Sequence, residues 1–308
     1  MLIFYYIFFI TIFLIVAQPM PQKMKSALCA LLTCCAFSTP LRATEGGGSN
    51  YLPGFYGDFG MAVFSTPGTY FNNFFAAYED IRSDTGTLLE MPGIIHVSDF
   101  QIFNGQFVAG VYPGMLASKD HSGSNDLARV GLGDFYFVPG GLAWTHDNLS
   151  VFLFEGVVAP TGRYEKGELN SGRNYWTFDH NLQLTLGLPL NTEFSLGVGL
   201  MNNLKNTATD YRSGDELHID YNFGYYLRPN IGFGVTGSYY KQLNKDISND
   251  TATQVFESGE ASTIGPVVLY TPKINDKDVT ISLKWLKEFD VTSRVAQEYL
   301  ICRLLMSF

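Results

Sequence analysis

The chain has 308 residues, 46% of them hydrophobic and 15% aromatic, with a formal net charge of −9. Three of its 20 Lys and Arg residues and none of its 29 Asp and Glu residues precede Thr44, so the chain from there on carries −12, the wrong sign for a nucleic-acid partner. Of the four cysteines only Cys302 lies beyond residue 43, which leaves no internal disulfide and no thiolate metal site.

Residues 1–23 hold the apolar run Leu2 to Ala17, which is short for a membrane-spanning helix and has no Lys or Arg before it. This piece is expected to be an upstream mis-start or extension. Met24-Lys25-Ser26, the apolar run Ala27 to Phe37 and the small residue Ala43 read as the basic, apolar and cleavage regions of a signal peptide over 24–43. Residues 44–68 open on Gly46-Gly47-Gly48 and include the irregular, strand-like Leu52 to Phe64. They are expected to form a leader and a segment lying in the lumen or at the periplasmic mouth of whatever residues 69–308 build.

The next stretches read as strands. Thr69 to Tyr78 is followed by a polar loop from Ile81 to Met91. Ile94 to Phe103 and Phe107 to Pro113 form a hairpin across Asn104-Gly105, the strongest short turn signal in the chain. A long polar loop over Gly114 to Ala128 leads to Gly131–Trp144 and Leu149–Pro160, joined at His146-Asp147-Asn148. After the loop Thr161 to Arg173 come Asn174–Leu188 and Phe194–Leu204, joined by a tight turn at Pro189 to Thr192.

Glu216 to Leu227 is the clearest strand. Leu217, Ile219, Tyr221, Phe223, Tyr225 and Leu227 fall on one face, and Glu216, His218, Asp220, Asn222 and Tyr226 on the other. Period-two alternation over about a dozen residues is twice the usual strand length and matches a tilted strand crossing a bilayer. Ile231–Gln242, a polar loop over Leu243 to Glu257, then Ala261–Tyr270, Val279–Phe289 and Gln297–Phe308 complete the set. The last strand alternates through Leu300, Cys302, Leu304, Met306 and Phe308, like the terminal strand that outer-membrane assembly machinery recognises. Working back from Phe308, long loops fall on one side and short turns on the other. That parity predicts an all-β transmembrane antiparallel barrel of about twelve strands in the outer membrane of a Gram-negative bacterium.

Three stretches carry a family resemblance. They are Gly131-Leu132-Gly133-Asp134 through Trp144, Pro160-Thr161-Gly162 through Phe178, and Thr209-Asp210-Tyr211 through His218. Together they resemble the outer-membrane transporter family named after the meta-pathway of phenol degradation, with His180 where the family more often has Pro. The resemblance implies a channel-like barrel associated with uptake of small hydrophobic or aromatic solutes. It implies no ligand residues.

On this alternation Asp134, Glu155, Asp179, Glu193, Glu216, His218, Asp220, Lys284 and Arg303 are expected to face the lumen, with Glu288 beside them. A basic group facing lipid at mid-depth costs ~2–4 kcal/mol, which favours the inside. Tyr112, Tyr136, Tyr226 and Tyr240 are expected to line the same space, and Trp176, Trp285 and Phe289 to belong to interfacial girdles. His180 lands on the lipid side unless a bulge at Asp179-His180 resets the parity. These polar groups either orient a solute or pin the wall.

The histidines show no metal-ligand spacing; His121 with Asp120 and Asp126 in a loop is a weak cation candidate. His218 and Asp220 share a face, but no Gly-x-Ser-x-Gly elbow accompanies them, and Gly162, Gly167 and Gly172 lack a phosphate-loop setting. The expected function is passive or facilitated diffusion of a hydrophobic or aromatic solute into the periplasm. It needs no enzyme chemistry, metal or cofactor, and its partners are outer-membrane lipid, the solute and the assembly machinery. The alternatives are a structural or surface barrel without a pore, a barrel hydrolase, and a soluble lipocalin-like binder.

Overall fold

The computed structural model describes residues 48–64, 66–80, 85–120, 127–248 and 258–308. The expectations for 1–43, and for the candidate cation site at His121 and Asp126, lie outside these residues. Among the described residues the regular structure is all strand.

Twelve strands close a barrel. They are β1 (Gly68–Asp80), β2 (Gly86–Ile102), β3 (Gly105–Tyr112), β4 (Phe135–His146), β5 (Leu149–Ala159) and β6 (Thr177–Leu188) in the first half. The second half holds β7 (Thr192–Asn203), β8 (Glu216–Arg228), β9 (Ile231–Gln242), β10 (Glu260–Tyr270), β11 (Lys277–Thr292) and β12 (Gln297–Ser307). Every neighbouring pair is antiparallel, and β1 closes the ring by pairing with β12 from Tyr70↔Ser307 to Asp80↔Gln297. Closure leaves no open sheet edge in the bilayer, where unpaired backbone groups find no water.

Tight turns gather at one end, with both barrel termini. Phe103 and Asn104 both have positive φ (50° and 61°), as a two-residue type I′ hairpin requires. The turn therefore sits one residue earlier than the expected Asn104-Gly105, and Gly105 opens β3, where a Cβ would come within 2.7 Å of the Trp144 ring. Leu190 and Asn191 make the same kind of turn between β6 and β7. In barrels of this class the short turns are periplasmic, so this is the inner end and the long loops mark the outer end.

Two expected loops contain strand. β2 begins at Gly86 rather than Ile94, and Met115–Asp120 and Leu127–Leu132 pair with each other above the barrel, Met115–Asp120 also pairing with the start of β2. The two strands, MLASKD and LARVGL, are only six residues each and too short to carry a long alternating pattern.

Outward residues form an apolar belt: Leu182, Leu200, Phe223, Val235, Val268 and Leu283 are each 42–50% exposed. Inside, Thr177, Asn181, Ser195, Glu216, Asp220, Asn222 and Thr236 are at most 1% exposed. What buries them is the segment 48–64, which runs through the lumen from the outer to the inner end: Tyr51 packs on Tyr240, Phe59 on Tyr226 and Phe64 on Phe152.

Candidate functional site: the plugged lumen

The plug is held by hydrogen bonds to one side of the wall. At the outer end Ser49 donates to Glu216 and Asn50 Nδ2 to Thr177 Oγ1 (2.7 Å). Midway, Tyr51 Oη donates to Asp220 Oδ1 (3.0 Å) and Tyr56 Oη to Asp179 Oδ2 (2.9 Å). Lys284 Nζ spends its three donors on the carbonyls of Gly54 (2.6 Å), Phe55 (3.0 Å) and Gly57 (2.8 Å). Toward the inner end Ser282 donates to Asp58 Oδ2, the Gly60 amide to Glu193 Oε1 (2.8 Å) and the Ala62 amide to Thr185 Oγ1 (3.0 Å). These partners stand on β6 to β8 and β11. An irregular segment inside a barrel needs such partners, because each buried unpaired backbone group costs ~1–3 kcal/mol.

His218 is the centre of this arrangement. Its Nε2 faces Asp179 Oδ1 at 2.9 Å and its Nδ1 faces Asp220 Oδ2 at 3.2 Å, which asks both ring nitrogens to donate. The ring is stacked between Tyr51 (4.3 Å) and Tyr56 (5.4 Å) of the plug. It lies flat on the wall because Gly199 stands beneath it; a Cβ there would come within 2.0 Å of Nε2.

The other side of the lumen is apolar. From β1 to β5 the wall presents Phe74, Val108, Tyr112, Val138, Phe152 and Phe154, and the plug answers with rings: Phe55 against Phe74 (4.3 Å) and Tyr56 against Phe154 (6.0 Å). Two cavities lie beside the plug, the inner one mainly on this side and the outer one reaching across to Asp179 and Met201. An outer one of about 190 Å³ reaches from Asn50 and Arg173 down to Phe55, and an inner one of about 80 Å³ is lined by Phe74, Phe152, Phe154 and Arg303. Phe55, Tyr56 and Tyr136 border both, and the two tyrosine hydroxyls are 2.8 Å apart.

The structure places Asp179, Glu193, Glu216, His218, Asp220, Lys284 and Glu288 inward and buried, and Tyr136, Tyr226, Tyr240 and Arg303 on the same inner surface. Tyr112 joins them, its hydroxyl accepting from Asn72 Nδ2 (2.9 Å). Asp134 sits instead at the outer rim, where Oδ1 accepts the Gly162 amide (2.9 Å) and Oδ2 the Arg173 amide (2.7 Å). Burial pushes its carboxyl above the ordinary range, against the pull of those two amides.

Glu155 requires correction. Inward residues of β5 are Ser150, Phe152, Phe154 and Gly156, so Glu155 faces outward and binds His180 Nδ1 at 2.6 Å. The pairing Glu155↔His180, Gly156↔Asp179 runs without a break, so no bulge resets the parity there. His180 Nε2 also meets Asn202 Oδ1 (2.9 Å), making an outward polar cluster near the outer ends of three strands. Trp176, Trp285 and Phe289 are likewise exposed on the outer surface.

The stretches that carried the resemblance meet at the outer rim. Thr161 Oγ1 accepts the Phe135 amide (3.0 Å), and Gly162 packs on Gly172, whose Cα would lie 2.7 Å from an added Cβ. Tyr211 donates to Asp246, whose Oδ1 accepts the Gly214 amide (2.8 Å). The motifs therefore build the loop scaffold. Among the described residues no group of three His, Cys, Asp or Glu is arranged to hold a metal ion.

A closed twelve-stranded barrel with an apolar outer belt and polar groups buried within is an outer-membrane β-barrel. Residues 73–304 match the family described as "Putative MetA-pathway of phenol degradation", and the chain belongs to that family. Among solved structures it is similar to an outer membrane channel from Pseudomonas putida F1, with TM-score 0.69, 14% identity, and coverage of 84% of this chain and 100% of that one. The transport unit of the autotransporter AIDA-I from Escherichia coli aligns at TM-score 0.48 with 10% identity, covering 82% of this chain and 93% of that one. The NanC porin aligns at TM-score 0.43 with 12% identity, covering 77% and 98%. No curated protein sequence matches the chain. The soluble lipocalin-like alternative falls with this fold.

Proposed function

We propose that this barrel passes small hydrophobic or aromatic compounds across the outer membrane by passive or facilitated diffusion, without enzyme chemistry. The observation that carries the reading is the pair of cavities beside the plug, both bordered by Phe55, Tyr56 and Tyr136. A protein built only as a wall would leave no such space in its lumen. The His218–Asp220 pair offers no hydrolytic site, since both residues are at most 1% exposed beneath the plug.

The reading includes a signal peptide over 24–43, removed on export, an upstream mis-start or extension over 1–23, and insertion by the outer-membrane assembly machinery. The test expresses the chain from Met24, sequences the N-terminus of the membrane-inserted product, and compares uptake of labelled toluene and phenol with a deletion strain. Uptake that depends on the barrel is expected. Equal uptake in both strains would transfer the reading to a structural barrel.

A further inference from the structure

The inner cavity has features of a binding site that a mere gap would lack. Its volume of about 80 Å³ is about half that of an apolar cavity that takes benzene (~150 Å³), so a ring seats here only as the flexible Met61 and the neighbouring plug rings give way. Phe74, Phe152, Phe154 and Tyr112 supply ring faces and edges around it. One cation, Arg303, faces the space, 5.7 Å above the Phe74 ring.

Arg303 differs from Lys284, the other inward cation near the middle of the plug. Lys284 has given all three donors to plug carbonyls. Arg303 donates Nε to Asn72 Oδ1 (3.0 Å) and pairs through Nη1 with Asp58, a carboxylate lining the same cavity, at 3.8 Å, too long for a hydrogen bond. Asp58 is already satisfied by Ser282 and by the Phe59 amide. A guanidinium has five donors in a planar fork that matches a carboxylate, and an apolar pocket raises the value of that match.

We propose that the inner cavity is a binding site for a single-ring aromatic anion, a carboxylate or sulfonate, whose ring lies among Phe74, Phe152 and Phe154 and whose acid group engages Arg303. This names the solute class of the channel proposed above and rests on that reading. The site is reached without removing the plug. The plug's backbone and carboxylate anchors hold it to the opposite wall, and it meets β1 to β5 through the side chains of Phe55, Tyr56, Met61, Ala62 and Phe64. Phe55, Tyr56 and Tyr136 form the passage between the two cavities.

Binding to the purified full barrel in detergent is measured by calorimetry with benzoate, benzyl alcohol and benzylamine. Benzoate is expected to bind at least tenfold more tightly than the other two. Arg303→Gln is expected to remove that margin and leave benzyl alcohol unchanged; Val108→Phe, which fills the cavity from β3, is expected to weaken both. Heat-modified gel mobility checks that each variant folds. Equal affinity for benzoate and benzyl alcohol, or an Arg303→Gln protein that keeps the margin, overturns the site.

Flux is measured in liposomes with benzenesulfonate, which does not cross lipid unaided. Gly57→Cys with Thr236→Cys tethers plug to wall; Thr236 Oγ1 already donates to the Gly57 carbonyl (3.0 Å), and Cys302→Ser removes the one cysteine among the described residues. Flux that survives oxidation of this pair is expected. Flux abolished by oxidation and restored by reductant overturns passage beside a fixed plug. Arg303-dependent benzoate binding with no flux sinks the channel reading and leaves the site; toluene uptake without such binding does the reverse.

Discussion

At the residue scale, His218 joins two tyrosines of the plug to two carboxylates of the wall. His218→Ala leaves Asp179 and Asp220 buried without their shared donor, and breaking a buried pair this way costs about 3–5 kcal/mol. The expected outcome is a lower urea midpoint and a several-fold rise in single-channel conductance as the plug loosens. His218 and Asp220 were legible in the sequence as inward groups because their strand alternates cleanly. Glu155 was not, because Phe152 and Phe154 point inward while Leu153, 52% exposed, points outward. With apolar residues on both faces of β5, alternation gives no clear parity there, and the inward assignment of Glu155 rested on an alternation that β5 does not carry. The apolar lane that misled the assignment is the same one that borders the inner cavity.

At the scale of elements, the glycines of the barrel interior make room for rings. Gly93 lies under Tyr112, Gly156 under Tyr136 and Gly224 under Phe59, where a Cβ would fall within 2.1–2.3 Å of ring atoms or the Tyr136 hydroxyl. Gly224→Val is therefore expected to expel Phe59 from its seat beside Tyr226 at a cost of about 1–3 kcal/mol. Limited proteolysis should then cut within 48–64 in the variant and spare it in the parent. The strands themselves were readable from period and turn chemistry; this use of glycine was not, since it depends on which ring arrives from a distant segment. The rim behaves likewise. Asp134→Asn keeps one acceptor oxygen for two backbone amides, and losing one buried bond costs about 1–3 kcal/mol. Faster amide exchange at Gly162 or Arg173, with the barrel strands unchanged, is the expected readout.

For the whole molecule, the bilayer decides what each outward position tolerates. Val268 lies within the belt on β10, 50% exposed, and Val268→Arg is expected to cost about 2–4 kcal/mol of folding stability in liposomes. His180→Arg, near the outer end of β6 and already beside Glu155, is expected to cost about 0–1 kcal/mol. Urea titration of both variants in the same lipid checks the contrast. The strand count and sidedness followed from loop lengths, because a closed barrel in a membrane constrains connectivity tightly. The lumen was one of the two places expected for Leu52 to Phe64, but the segment's path through it was not readable, because it has no period of its own and takes its shape from partners up to 230 residues away.

The course of the plug also bears on assembly. Gly48 lies at the outer mouth, and the chain descends through the lumen before β1 starts back up at the inner end. Once β1 and β12 have zipped together, that descending segment is encircled, and its leading end must pass lengthwise through the ring to arrive or leave. Entry through a side that is still open meets no such obstacle. Docking of the segment on the polar wall of β6 to β9 before the β1–β12 seam shuts avoids that threading.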